Sequence, residues 1–179
     1  MLRGRRVVGC VVLAGGALLF SGTIRGALAN NVPMGGAVAV LPLAADAGHD
    51  DAVSPSPMQL HSLTDDLRGG IGSGKLSLVD AARVANTSCG IAECARRAGQ
   101  ALGARTVVFG TARLVTPIIW DVVASALDVP SGRVVRSLSY SALGDYLVMR
   151  RGAHELGTCL AAAIRGATPC HVTAEGAID

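Results

Sequence analysis

Aromatic side chains are scarce in this sequence, at 3% of 179 residues, although half of the residues are apolar. A core therefore cannot depend on large rings and must be assembled from Val, Leu, Ile and many Ala. Such a core buries less area per residue, so covalent cross-links would help to stabilise a domain of this size. Lysine is also nearly absent: Lys75 stands against fifteen arginines. We interpret this bias as genomic composition, because no arginine cluster marks one face.

The sequence also lacks the motifs that mark common catalytic sites, including G-x-S-x-G and H-E-x-x-H. The stretch Gly69–Lys75 nearly spells a phosphate-binding P-loop. Its next residue is Leu76, where the motif needs a hydroxyl for magnesium, and a predicted helix precedes it in place of a strand. We interpret it as a flexible loop from a helix to a strand. The sequence predicts no cofactor and no enzyme.

Histidines and carboxylates form no closed ligand shell. The histidines are scattered, the adjacent pair Asp65 and Asp66 is expected to be solvated, and one loop could bind a cation only weakly. These residues are His49, Asp50 and Asp51 in the loop, and His61, His154 and His171 elsewhere. We therefore predict no metal site.

No apolar run is long enough to span a bilayer. The longest N-terminal run has about 14 residues, whereas a spanning helix needs roughly 20. Positive residues precede it and a small-x-small pattern follows it, which is typical of a secretory signal peptide. The features are Arg3, Arg5 and Arg6, the run Val7–Phe20, and Ala27, Ala29 and Asn30 at the cleavage site. We predict removal of residues 1–29, periplasmic localisation and no stable membrane span afterwards; Sec and twin-arginine export both stay open.

Cleavage changes the charge argument. The formal net charge of the whole chain is +3, from 16 basic and 13 acidic residues. Four arginines lie in the predicted signal peptide, so 12 basic and 13 acidic residues give −1 for the rest. With this charge balance, the sequence shows neither the basic stripe that binds nucleic acid nor a polybasic surface that binds membranes. We predict no nucleic-acid partner.

Four cysteines remain after the loss of Cys10: Cys89, Cys94, Cys159 and Cys170. An even number in an exported chain indicates disulfides, and four cysteines allow three pairings. We favour the local pairs, Cys89 with Cys94 and Cys159 with Cys170, because each closes a short loop. The alternatives are a zinc site, which needs a second ligand pair, and a catalytic thiol, which needs a positioned histidine.

The hydrophobic pattern predicts the order β-α-β-α-β-β-β-α. β-Branched residues between Ala104 and Leu143 favour a three-strand meander, with Trp120 buried in its middle strand. A capping box at Ser56 and Gln59 begins the first helix, and Gly69-Gly70 is expected to end it. The other predicted elements are strands at 37–43 and 76–79, a polar loop at 44–55, and helices at 89–102 and 145–165. We predict a single α/β domain over 37–166, with a mixed five-stranded sheet flanked by helices, a flexible lead-in at 30–36 and a tail at 167–179.

Three phrases resemble a known superfamily: SGKLSLVD, CARRAGQALGARTVVFGTARLV and LDVPSGRVVRS. Their shared features are Leu78-Val79-Asp80, Leu102-Gly103-Ala104, Val108–Thr111 and the hairpin from Asp128 to Arg133. The chain is similar over residues 37–165 to the superfamily of the TolB N-terminal domain, CsgG and LpoB, and within it to an uncharacterised periplasmic branch. The resemblance implies a five-stranded mixed sheet and a role in binding or assembly. It implies no catalytic residues, and Val148-Met149 departs from the branch's usual Ser-Trp.

Two functions follow as hypotheses. The first is a periplasmic interaction or assembly module that binds an envelope protein, because an exposed sheet edge can accept an extended segment. The alternative is a small-ligand binding protein or sensor, with its pocket between the loop 44–55 and the third helix. An enzyme has the least support, and the oligomeric state is not predicted.

Overall fold

The computed structural model describes residues 36–46, 54–116, 118–143, 145–167 and 170. All of them belong to the compact unit Asn31–Asp179. The predicted signal peptide, with Ala27, Ala29 and Asn30, lies outside the described residues. So do His49, Asp50, Asp51 and His171.

Among the described residues, five strands form one mixed sheet. They are β1 (Val38–Val40), β2 (Ala44–Ala45), β3 (Thr106–Thr116), β4 (Ile119–Asp128) and β5 (Arg133–Leu143). The strand order is β1-β3-β4-β5, with β2 also beside β3. β1 and β2 run parallel to β3, whereas β3, β4 and β5 are antiparallel neighbours. The mixed five-stranded sheet and the central meander are therefore confirmed.

The helices are α1 (Pro57–Ser73), α2 (Ala81–Val84), α3 (Ala92–Leu102) and α4 (Tyr146–Ile164). α1 begins with the predicted capping box, in which Ser56 accepts from the backbone of Gln59 and the Gln59 side chain accepts from Ser56. Asp145 caps α4, since its carboxylate accepts from two backbone N–H groups of the first turn. Within the described part of the chain, no helix is both long and apolar enough to cross a bilayer.

The core has two layers, one on each face of the sheet. α1 and α4 cover the first face, where Trp120 lies only 3% exposed among small neighbours such as Ala124 and Ala142. α3 packs on the second face against Val107 and Val129. Alternation along each strand divides the side chains between these layers. Along α4 the sequence repeats apolar residues at helical spacing, which predicts an inner stripe. This prediction is confirmed, since all five are buried: Met149, Ala153, Leu156, Leu160 and Ile164.

The predicted end of the first helix at Gly69-Gly70 is wrong, because α1 continues to Ser73. Gly70 faces α4 so closely that an added Cβ would collide with the carbonyl oxygen of His154. Gly157 has the reciprocal position, where a Cβ would collide with the carbonyl oxygen of Leu67. Here glycine allows two helix backbones to meet, and it does not mark a helix end. The predicted loop over Gly69–Lys75 is therefore helical for most of its length.

The predicted strand at 76–79 is also wrong as a regular strand. Only Leu78 pairs, through an isolated parallel bridge to Val38, with backbone bonds of 2.8 and 2.9 Å on either side. The fifth strand is instead β2, which occupies the start of the predicted loop 44–55. β1 is shorter than the predicted strand 37–43, since regular pairing stops before Pro42. A proline has no N–H to donate to a ladder.

The predicted helix at 89–102 begins later than expected, at Ala92, because Ile91 has an extended backbone. Ile91 is also exposed, although its spacing from Ala95, Ala98 and Leu102 predicts that it lies on the inner face of the helix. A short helix that the sequence did not predict, α2, precedes this region and is capped by Asp80, which accepts from the N–H of Ala82.

Candidate functional site

The outer edge of β5 is the most extensive unpaired backbone in the sheet. β5 has eleven residues and pairs with β4 on one side, while no strand of the described residues pairs with its other side. Folded proteins usually protect such an edge with charges, prolines or bulges. β5 has these devices only near its start, where Arg133 and Arg136 lie beside a bulge in the β4–β5 register. The remainder, Ser137–Leu143, contains no charge and no proline.

The turn that leads into β5 is fixed by Asp128. Its carboxylate accepts from the backbone N–H of Ser131 at 3.1 Å and from Nε of Arg105 at 2.9 Å. Burial alone would raise the pKa of Asp128, but these hydrogen bonds and the positive charge of Arg105 outweigh it and hold the pKa below its usual value. Gly132, with φ of 68°, takes the left-handed conformation that completes the turn. The edge strand therefore starts from a well-defined position.

Because side chains alternate along β5, one face of this strand packs into the core and the other face is open. Leu138, Tyr140 and Ala142 belong to the core layer with α4. Ser137, Ser139 and Ser141 point to the opposite face, beyond the area that α3 covers. Burial raises the pKa of Tyr140. The negative charge of nearby Glu155 raises this pKa further, whereas the positive charge of Arg151 lowers it. The serine side of the edge is the accessible one.

A polar network lies on this open face next to the edge. Arg113 donates from Nε and Nη2 to Oδ2 of Asp121, at 2.9 and 2.7 Å. Ser141 donates to the other oxygen of Asp121 at 2.5 Å, and the hydroxyls of Ser125 and Ser137 are 2.9 Å apart. The network borders a shallow cavity of about 370 Å³. Arg113 and Asp121 neutralise each other, and Asp46 adds a carboxylate to the lining of the same cavity, so this face offers hydrogen-bonding groups and a negative charge.

The far end of the edge is apolar. Val115, Ile118 and Leu143 are exposed large side chains at this end of the sheet, and Leu143 pairs with Ile119 of β4. A ligand that follows β5 would therefore meet serines along most of the open face and apolar side chains at its end.

A larger cavity of about 560 Å³ lies elsewhere, between the β1–β2 segment, α1 and α2. The pocket predicted between the loop 44–55 and the third helix stays a prediction, because residues 47–53 of that loop lie outside the described residues. Ala44 and Ala45 do line the cavity, but the helix opposite them is α1, and α4 supplies none of the described lining residues. The sequence also missed Arg68, the one arginine in that lining; its only signal is its position one turn after Thr64 on α1.

The structure brings together the two cysteine pairs that the sequence favours. The Cα atoms of Cys89 and Cys94 are 5.6 Å apart, and those of Cys159 and Cys170 are 5.4 Å apart. Disulfides span roughly 4.4–6.8 Å between these atoms. The geometry fits both local bonds, and their formation in the exported protein stays a prediction.

The expectation that Asp66 is solvated is wrong. Arg150 on α4 donates to both of its carboxylate oxygens, at 2.6 and 3.1 Å, and these bonds raise the pKa of Arg150. His61 is exposed, 3.4 Å from Asp65, and His154 is exposed on α4. Across the described ranges, no three His, Cys, Asp or Glu side chains gather in a way that could hold a metal ion.

No protein-family model matches the chain. A comparison with curated proteins gives no match either.

Solved structures from several bacteria have a similar fold at low sequence identity. PelC of Paraburkholderia phytofirmans, solved as a dodecamer, is 19% identical with a TM-score of 0.48, over 77% of this chain and 92% of PelC. The C-terminal domain of LpoB from Salmonella enterica is 17% identical with a TM-score of 0.49, over 64% of this chain and 87% of that domain. TolB of Acinetobacter baumannii is 18% identical with a TM-score of 0.48, over 76% of this chain and 29% of TolB. LpoB and TolB are among the proteins that the sequence resemblance names, and the likeness concerns the fold alone.

Proposed function

We propose that this protein is an exported, non-catalytic interaction module of the bacterial cell envelope, which binds an extended segment of an envelope protein along β5. The observation that carries the proposal is the unpaired outer edge of β5, of which Ser137–Leu143 has neither charge nor proline. An extended segment that adds to such an edge gains main-chain hydrogen bonds along its length.

The chemistry of the edge describes the segment that fits it. Every second side chain of an added strand lies over the open face, beside Ser137, Ser139 and Ser141. Small or polar side chains suit these positions, because the neighbouring charges of Arg113 and Asp121 are already paired. An apolar side chain suits the end beside Leu143, which is 48% exposed. Because Asp46 adds a carboxylate to this face, the expected partner segment has no acidic residues, is rich in small polar residues and is apolar at one end.

A cross-linking experiment tests this edge. A photoreactive amino acid at Ser139 is expected to capture a specific envelope protein from native extracts, whereas the same group at exposed Arg97 on α3 is not. With the purified partner, Ser139→Lys should weaken binding about tenfold or more, because a charge at an edge disfavours strand addition. Gln100→Lys, at an exposed position of α3, is the matched control. Slower amide hydrogen exchange should appear in β5.

Two results would count against the β5 proposal. One is equal affinity of the Ser139→Lys variant and the parent protein for the captured partner. The other is protection from exchange that appears only outside β5.

Export and disulfide formation are tested together, because structural disulfides persist in oxidising compartments. The protein purified from its native host should begin at Asn30. Its intact mass should be four hydrogens below that of the reduced form, from the pairs Cys89–Cys94 and Cys159–Cys170. Peptide mapping without reduction should find both local pairs. A full-length mass in the membrane fraction, or two thiols that react with a labelling reagent, would contradict this expectation.

A further inference from the structure

The cavity between α1, α2 and the β1–β2 segment has the size of a small-molecule site. Its volume of about 560 Å³ falls within the range of roughly 300–1,000 Å³ that is usual for ligand pockets. Most of its wall is apolar, including Val40, Leu43, Leu60 and Val84, together with alanines of β2 and α2. An apolar wall of this kind binds the body of a ligand without selecting its polar groups.

Most polar side chains in the wall already have partners. Thr64 accepts from the backbone N–H of Leu43 at 3.0 Å and donates to the carbonyl of Leu60 at 2.7 Å. His61 and Asp65 lie 3.4 Å apart at the exposed rim. Because these side chains already have polar partners, they do not need a hydrogen bond from a ligand inside the cavity.

Arg68 differs from them. Its Nη2 donates to the carbonyl oxygen of Val79, which holds the guanidinium beside the cavity. Its Nη1 is shut off from solvent and has no hydrogen-bond partner. Buried polar groups almost always have a partner, so the unpartnered Nη1 is a donor that the acceptor of a ligand can satisfy. Arg68 is also one of the residues that line the cavity, so its side chain forms part of the cavity wall.

We infer that this cavity binds a small carboxylate with an apolar body, the chemical class of a medium-chain fatty acid. The apolar body occupies the space between α1 and α2, and one carboxylate oxygen accepts from Nη1 of Arg68. An anionic acceptor is favoured because a hydrogen bond between two charged groups is stronger than a neutral one. Asp65 also lines the cavity, and its carboxylate lies at the exposed rim, 3.4 Å from His61. This site is separate from the β5 edge and does not depend on it.

Calorimetric titration with sodium decanoate tests the inference, with 1-decanol as the uncharged probe of the same length. The parent protein should bind decanoate about 10- to 100-fold more tightly than decanol, the factor expected for one charged hydrogen bond. Arg68→Gln should remove this preference and leave the affinity for decanol unchanged. Arg97→Gln, on α3 away from the cavity, is the matched control for charge. Ala82→Phe, at an exposed position of the wall, should weaken both probes by filling the cavity.

Equal affinity of the parent protein for decanoate and decanol would overturn the inference, and so would no saturable binding of decanoate below about 1 mM. Unchanged binding by Ala82→Phe would place the probe elsewhere and also overturn it. Thermal unfolding shows whether each variant is folded. If Arg68→Gln does not fold, the comparison of the two probes on the parent protein still decides. Ser139→Lys should bind decanoate as the parent does, which keeps this test separate from that of the β5 edge.

Discussion

Replacing Trp120 by alanine is expected to lower the free energy of unfolding by about 3–5 kcal/mol. The indole is 3% exposed and its ring centroid is 5.6 Å from that of Tyr146 at the start of α4. Tyr146 in turn donates to the carbonyl of Gln59 on α1, at 2.9 Å. The substitution thus leaves a void where β4 meets both helices of the first layer.

The effect should be large relative to the whole, because the sequence has five aromatic residues, one Trp, two Tyr and two Phe. Domains of this kind have a total stability of roughly 5–15 kcal/mol. Urea denaturation gives the measurement, and Ile118→Ala in the exposed β3–β4 turn is the control, with an expected change within about 0.5 kcal/mol. A loss below about 1 kcal/mol for Trp120→Ala would show that the core does not depend on this ring.

Two adjacent glycines of α1 should respond to alanine with opposite signs. A Cβ at Gly70 would collide with the carbonyl oxygen of His154, so Gly70→Ala must separate α1 from α4 and should cost about 1–3 kcal/mol. A Cβ at exposed Gly69 would meet its nearest atom, Nδ1 of His154, at 3.5 Å, which is an ordinary contact. Gly69→Ala should therefore stabilise the protein by about 0.5–1 kcal/mol, because alanine favours the helix.

Both variants are compared in one denaturation series, so that the helix propensity gained at each site cancels. A stability for Gly70→Ala equal to or above that of Gly69→Ala would show that the helices have room between them. Gly157→Ala provides a second check from α4, since its Cβ would collide with the carbonyl oxygen of Leu67. It should lower the stability as Gly70→Ala does.

Periodic segments could be predicted from the sequence, because their signal is local. The β-branched runs of β3, β4 and β5 and the inner stripe of α4 each depend on residues within one element. The end of α1 could not be predicted in this way. Gly69-Gly70 is an ordinary helix stop by propensity, and only the approach of α4, about 85 positions along the chain, explains why helix continues there.

The two candidate sites also differ in how much of each is visible in the sequence. The uncharged stretch of β5 is visible in the sequence, but its place at the sheet edge depends on β1 pairing with β3 and not with β5. The cavity is not visible, because its wall combines segments around Val40, Arg68 and Ala82 that no periodicity connects. The position of the Arg68 guanidinium depends on its hydrogen bond to the carbonyl of Val79. The ion pair of Asp66 depends on Arg150, which is 84 positions away. Such contacts are set by tertiary packing alone.

The direct contact between α1 and α4 also bears on the timing of folding. These helices meet backbone to backbone, yet one begins at Pro57 and the other ends at Ile164. Contacts of such long sequence separation form slowly, since the loop entropy is lost before they contribute. Until α4 arrives, the apolar face that contains Trp120 and Val122 lacks one of its two covering helices. A chain that emerges from its N-terminus therefore cannot complete this layer until α4 has been made, so the layer stays open throughout most of its synthesis.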